Sequence, residues 1–97
     1  YFVFEFKNDV LILGDVMRKG TEIPVGQRLM LERICDSWHN GKSFIIFVHH
    51  EQEDETTDIP LNKCEVYKLY YQKKWRYRNG SVKDKIELIL KHFKIDL

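Results

Sequence analysis

The chain opens on strict alternation. Phe2, Phe4 and Phe6 fall on one face of Tyr1–Lys7 (YFVFEFK), and this period of two predicts a β-strand. Asn8-Asp9 offers a two-residue turn, and Val10–Met17 (VLILGDVM) reads as the return strand of a hairpin. Arg18–Val25 (RKGTEIPV), with Gly20 and Pro24, is a loop. From Pro24 to His39 the period lengthens to that of a helix, with Gln27, Leu31, Ile34, Cys35 and Trp38 on one face and Asn40-Gly41 as the stop. Ser43–His49 (SFIIFVH) is a continuous apolar run, expected as a central strand buried on both faces. Cys64–Arg78 predicts two short strands around a turn near Gln72-Lys73-Lys74. After Asn79-Gly80, Ser81 is an N-cap with Asp84 three residues on, and Val82, Ile86, Ile89, Leu90 and Phe93 form the apolar stripe of a closing helix.

The resulting order, β-β-α-β-β-β-α, predicts an α/β domain, with α+β as the neighbouring alternative, in which a mixed central sheet is flanked by two helices. Ninety-seven residues suffice for one core, so residues 1–97 are expected to form a single domain. The 43% hydrophobic and 32% charged content excludes a disordered chain. No apolar run approaches the ~20 residues of a membrane span, and no signal-peptide pattern opens the chain. Cys35 and Cys64 lack the number and spacing of a disulfide scaffold or metal site, so they read as core thiols of a reduced, cytoplasmic protein.

Net charge +1 conceals a separation. Residues 1–50 are balanced, Glu51–Asp58 (EQEDETTD) carries five acids and no base, and from Ile59 onward there are ten bases and four acids. Within that last third, Tyr67–Arg78 holds Lys68, Lys73, Lys74, Arg76 and Arg78 with no acid, interleaved with Tyr70, Tyr71, Trp75 and Tyr77. Cations that meet phosphates and rings that meet bases are the materials of nucleic-acid binding. The same alternation also describes an ordinary half-buried strand.

Between Leu11 and His50 lies the strongest functional signal. A strand ends in Asp15-Val16-Met17, a short basic loop follows, Gln27 stands near a helix start, and an apolar strand returns. In order and spacing this stretch (LILGDVMRKGTEIPVGQRLMLERI…GKSFIIFVHH) resembles the PD-(D/E)XK nuclease superfamily, in particular its small phage-type and VRR-NUC-like members. The resemblance implies a restriction-endonuclease-like core, hydrolysis of DNA phosphodiesters, Mg²⁺ or Mn²⁺ as cofactor, and DNA rather than RNA as partner. If the chain is phage-encoded, its setting is the host cytoplasm. Small nucleases often dimerise to cut both strands, which leaves a homodimer open.

In that family a strand ends in acid-x-Lys, often with a Gln at the start of the following helix. Asp15 matches the acid and would ligate the metal, Val16 would add its backbone carbonyl, and Gln27 matches the helix position. Residues two apart on a strand share a face, so acid and lysine address one phosphate. Hard oxygen ligands suit Mg²⁺ or Mn²⁺, the metal activates water, and the lysine stabilises developing charge. The departure is Met17, which stands where the family has its lysine, and a thioether supplies no charge. Lys19, also at even spacing from Asp15, is the candidate replacement, and Arg18 and Lys19 together extend the expected phosphate-contacting surface.

The family's other acidic ligand is expected on the neighbouring strand. Asp9 lies about 20 Å along the hairpin from Asp15, too far to share an ion. The two-residue turn pairs Phe2 with Asp15, which puts the missing acid at or before Tyr1; the chain begins there without Met, and residues upstream are expected. Glu5-Phe6-Lys7 is a complete acid-x-Lys alternative, but in the same register Glu5 takes the face opposite Asp15 and no helix follows. His49 and His50 fall on opposite faces of their strand and read as packed or solvated rings. Two functions stay open: a metal-dependent nuclease domain, inactivated or not, and a non-catalytic nucleic-acid- or protein-binding domain of the same fold.

Overall fold

In the computed structural model, residues 2–50, 64–77 and 80–93 are described. The expected order of elements is present: β1 (Phe2–Phe6), β2 (Val10–Arg18), α1 (Val25–Asp36), β3 (Ser43–His50), β4 (Glu65–Tyr71), β5 (Lys74–Tyr77) and α2 (Val82–His92). The five strands form one mixed sheet in the order β1-β2-β3-β4-β5. Strands β2 and β3 are parallel and all other pairs antiparallel. A parallel pair needs a crossover, and α1 supplies it. The fold is α/β, with the helices packed on opposite faces of the sheet. The acidic segment Glu51–Asp58, Tyr1 and Arg78 lie outside the described residues.

Alternation along the strands sorts the apolar residues onto the two faces. Val10, Ile12, Ile46, Val48 and Val66 pack with Val82 and Ile89 of α2, and Phe2, Phe4 and Phe6 extend this layer. Leu11, Leu13, Ile45, Phe47 and Tyr70 pack with Leu31 and Cys35 of α1. Strand β3 is therefore covered on both sides, as its unbroken apolar run requires. Side-chain bonds fix α1 in place. Ser43 Oγ donates to the Cys35 carbonyl at 2.6 Å, the Tyr70 hydroxyl donates to the Asp36 carboxylate at 2.9 Å, and Trp75 Nε1 donates to Glu32 at 2.7 Å. Ile34, expected on the inner face, sits at the edge of the stripe and is exposed, and α1 ends before Trp38. At α2, the Asp84 N–H donates to Ser81 Oγ at 3.1 Å, the anticipated cap.

The hairpin register differs from the expectation by one residue. Phe6 pairs with Val10, so the loop holds Lys7, Asn8 and Asp9 rather than Asn8-Asp9 alone. Lys7 and Asn8 both take positive φ, 54° and 55°, and the Asp9 N–H closes the turn on the Phe6 carbonyl at 2.9 Å. Asp9 is then clasped from across the sheet. Lys42 Nζ pairs with its carboxylate at 3.1 Å, Asn40 Nδ2 donates to the same carboxylate at 2.8 Å, and Trp38 Nε1 donates to its carbonyl at 2.9 Å.

A one-residue slip exchanges the faces of a strand. Phe2 accordingly lies opposite Gly14, not Asp15, and a Cβ on Gly14 would fall 1.9 Å from the Phe2 ring. The close approach of this ring requires glycine there. Glu5 pairs with Leu11 and shares the face of Asp15, which corrects the expectation that it points the other way. Distance still separates them: four ladder positions correspond to about 13 Å. Lys7 lies in the turn, so Glu5-Phe6-Lys7 does not present its charges as a strand motif would.

Candidate active site

At the C-terminal ends of parallel strands, helix starts and loops converge, and here they bring Asp15 and Gln27 together. Asp15 stands on the α1 face of β2, after the apolar Leu11 and Leu13 of that face. Gln27 is the third residue of α1, and its Nε2 donates to Asp15 Oδ2. Twelve residues apart in sequence, the two are joined because the 18–24 loop returns the chain over the end of the sheet.

The floor of the site is set by register. Asp15 pairs with Phe47, and Met17 with His49. Met17 shares the face of Asp15, two residues on, and at 8% exposure it is an apolar part of this floor. Val16 pairs with Val48, and its side chain turns to the α2 layer. Arg18 ends β2 opposite His50, on the other face. Lys19 follows it, its N–H donating to the His50 carbonyl at 2.8 Å.

An irregularity completes the wall. The β3–β4 register shifts between Phe47 and Val48, so Phe47 pairs with Lys68 while Val48 pairs with Val66. Tyr67 is the extra residue, and the bulge turns both Tyr67 and Lys68 toward the site. The Tyr67 ring stacks on His49 at 3.6 Å between centroids with 12° between planes, and lies 6.4 Å from Phe47. Burial pushes the Tyr67 phenol up from its ordinary value, and the charges of Asp15 and Glu22 push it further. It is therefore a neutral donor held in the field of two carboxylates. A cavity of about 500 Å³ opens beside it, lined among others by Glu22, Arg28, His49, Tyr67, Lys68 and Tyr77. Arg28 reaches it from the first turns of α1, where Glu32 holds it at 3.1 Å.

The other residues expected at the site are divided. Lys73 lies in the β4–β5 turn and Lys74 opens β5, at the end of the sheet remote from Asp15. Trp75 takes the α1 face, but its ring packs 4.8 Å from Phe47 and its N–H is held by Glu32, so it is part of the core layer rather than an exposed platform. Arg76 pairs with Leu69 and borders a groove on the α2 side. The basic segment thus alternates between faces, as any strand must, and of its described residues Tyr67, Lys68 and Tyr77 line the cavity. His49 and His50 diverge as expected, His49 to the cavity and His50 to the buried opposite face. Burial pushes the Cys35 thiol up to about 11, in keeping with a core thiol.

Hard oxygen is available at Asp15 and the Val16 carbonyl. No group of three His, Cys, Asp or Glu side chains that could hold a metal occurs among the described residues. Mg²⁺ and Mn²⁺ do not require one, because Mg²⁺ keeps several waters and uses one or two carboxylates together with substrate phosphates.

His49 has a measurable consequence. Burial, and then the charges of Lys19 and His50, lower its imidazole below the ordinary histidine value of 6.5. The unfolded chain then binds a proton more readily than the folded one, so stability falls as pH drops through and below 6.5. His49→Phe keeps a ring on Tyr67 and removes the titration. Urea midpoints measured against pH are expected to flatten in that variant; an unchanged slope would assign the dependence elsewhere.

The chain matches no protein-family model, no curated protein and no solved structure. No helix among the described residues is long and apolar enough to cross a membrane.

Proposed function

We propose that this chain is a divalent-metal-dependent nuclease domain acting on DNA phosphodiesters, phage-type in character, with a restriction-endonuclease-like core and slow turnover. The contact of Gln27 with Asp15 carries this reading. It joins the two positions that the motif pairs, across a βαβ crossover that periodicity alone does not bring together. Asp15 and the Val16 carbonyl would hold the Mg²⁺ or Mn²⁺, and Gln27 positions the carboxylate. The ion, when bound, supplies Lewis-acid activation of the phosphodiester and of water. Tyr67 offers a neutral hydroxyl to a phosphate oxygen, and Arg28, Lys19 and Lys68 provide positive charge around it. Met17 supplies no cation at the position two residues from Asp15, which is the reason slow turnover is expected and also supports the second reading, a non-catalytic DNA- or protein-binding domain of the same fold.

Manganese binding tests the assignment of the ligand. Counted by the paramagnetic resonance of free Mn²⁺ with a short DNA duplex present, binding is expected to disappear in Asp15→Asn. In Gln27→Leu it should weaken about tenfold, the cost typical of losing a residue that orients a metal ligand. Equal Mn²⁺ binding by Asp15→Asn and the natural chain removes Asp15 from the site.

A further inference from the structure

We infer that the cavity beside Tyr67, one strand over from Asp15 on the same face of the sheet, takes one unpaired nucleotide, so that the site acts on single-stranded DNA rather than on an intact duplex; this rests on the nuclease reading above. The cavity has the size of a small-molecule site, about 500 Å³, within the roughly 300–1,000 Å³ usual for such pockets. It is walled by the 20–25 loop, the first turns of α1, and strands β3 to β5. Its chemistry is mixed in a particular way. The stacked His49–Tyr67 pair and Tyr77 present rings, while Arg28 and Lys68 present cations. Tyr77 is 77% exposed, far more than a ring serving the core, and Lys68 Nζ sits 5.3 Å from its centroid. A cation beside an exposed ring suits a nucleotide, whose base stacks while its phosphate is neutralised.

Pairing decides which strand state fits. Within a duplex each base is stacked above and below by its neighbours and offers only its edges. A ring-lined concavity can be filled by a base only after that base has left the stack, which costs least for a strand already single. The bulge at Tyr67–Lys68 reinforces this, because it brings a ring and a cation side by side from adjacent residues of one strand. Phe47 lines the cavity and is the register partner of Asp15, so a nucleotide held there would have Asp15 one strand away.

Fluorescence anisotropy with labelled oligothymidylate and a blunt duplex of equal length, with Ca²⁺ present, tests this directly. The single strand is expected to bind about tenfold more tightly than the duplex. Tyr77→Ala and Lys68→Gln should each lower single-strand affinity about fivefold or more, the stacking loss per base usual for such platforms, while Tyr77→Phe retains it. Because Tyr77 is exposed, these variants fold, and unchanged circular dichroism checks it. Equal or tighter duplex binding, or full affinity in Tyr77→Ala, overturns the unpaired-strand site while Asp15-dependent metal binding keeps the nuclease reading. Absence of binding to both DNAs overturns the inference and the nuclease reading together.

Discussion

Met17→Lys is expected to raise Mn²⁺-dependent nicking of supercoiled DNA by about a hundredfold over the natural chain, the scale on which a single well-placed charge or donor acts in a transition state. Position 17 shares the face of Asp15 two residues along β2, so under the proposed mechanism a lysine there would address the same phosphate oxygens as an ion held by the carboxylate. Met17 lies opposite His49, which lines the cavity, and a lysine there can bury its stem where Met17 packs while its ammonium extends toward water. Some stability is lost. Met17 is only 8% exposed, and replacing it with a partly buried cation should cost about 1–2 kcal/mol. Nicking assays and urea denaturation on the same preparation separate the two effects. A variant that folds and cuts no faster would show that position 17 does not stand where the cation acts.

The largest stability effect is expected at Phe47. Its ring is 2% exposed at the centre of β3, between the register partners Asp15 and Lys68, with Trp75 stacked 4.8 Å away. Phe47→Ala removes the contacts that join α1, β4 and β5 and leaves a cavity, for a loss of about 3–5 kcal/mol. Against the 5–15 kcal/mol usual for a whole domain this brings the chain close to unfolding at ambient temperature. Phe47→Leu should cost much less, about 1–2 kcal/mol, because it fills most of the volume. Urea midpoints of both variants check the difference. If alanine and leucine proved equivalent, the ring would not be the keystone of the α1 layer.

Periodicity made the architecture legible because it is a local property. The three phenylalanines of β1, the unbroken apolar run of β3 and the Ser81 cap each state their element within a few residues. The hairpin register was not legible, because Asp9 is drawn into the loop by Lys42, Asn40 and Trp38, which lie some thirty positions away. That slip reversed the faces of β1 and brought Glu5 to the side of Asp15 without bringing it near. At the site, Asp15 and Gln27 could be named only through the resemblance to the nuclease family, whose strand-end acid and helix-start glutamine they match. Glu22 could not, and Tyr67 and Lys68 stood out only as the start of the basic aromatic run, not as neighbours of Asp15. The bulge that turns Tyr67 toward Asp15 arises from pairing with β3, and no pattern within Glu65–Tyr71 announces it. The division of the basic run Lys73–Arg76 was not legible for the complementary reason: a charge-rich segment shows which side chains are present, whereas strand pleating decides that they part to two faces.

Nicking of supercoiled plasmid by Met17→Lys, with and without Asp15→Asn in the same chain, is the most direct test of the central claim that Asp15 is the metal ligand of a nuclease site. The account predicts Mn²⁺-dependent nicking by Met17→Lys that stops on chelation and is lost when Asp15→Asn is added, with the fold of the double variant intact. Nicking that survives Asp15→Asn, or no nicking by a folded Met17→Lys chain at any Mn²⁺ concentration, would contradict it.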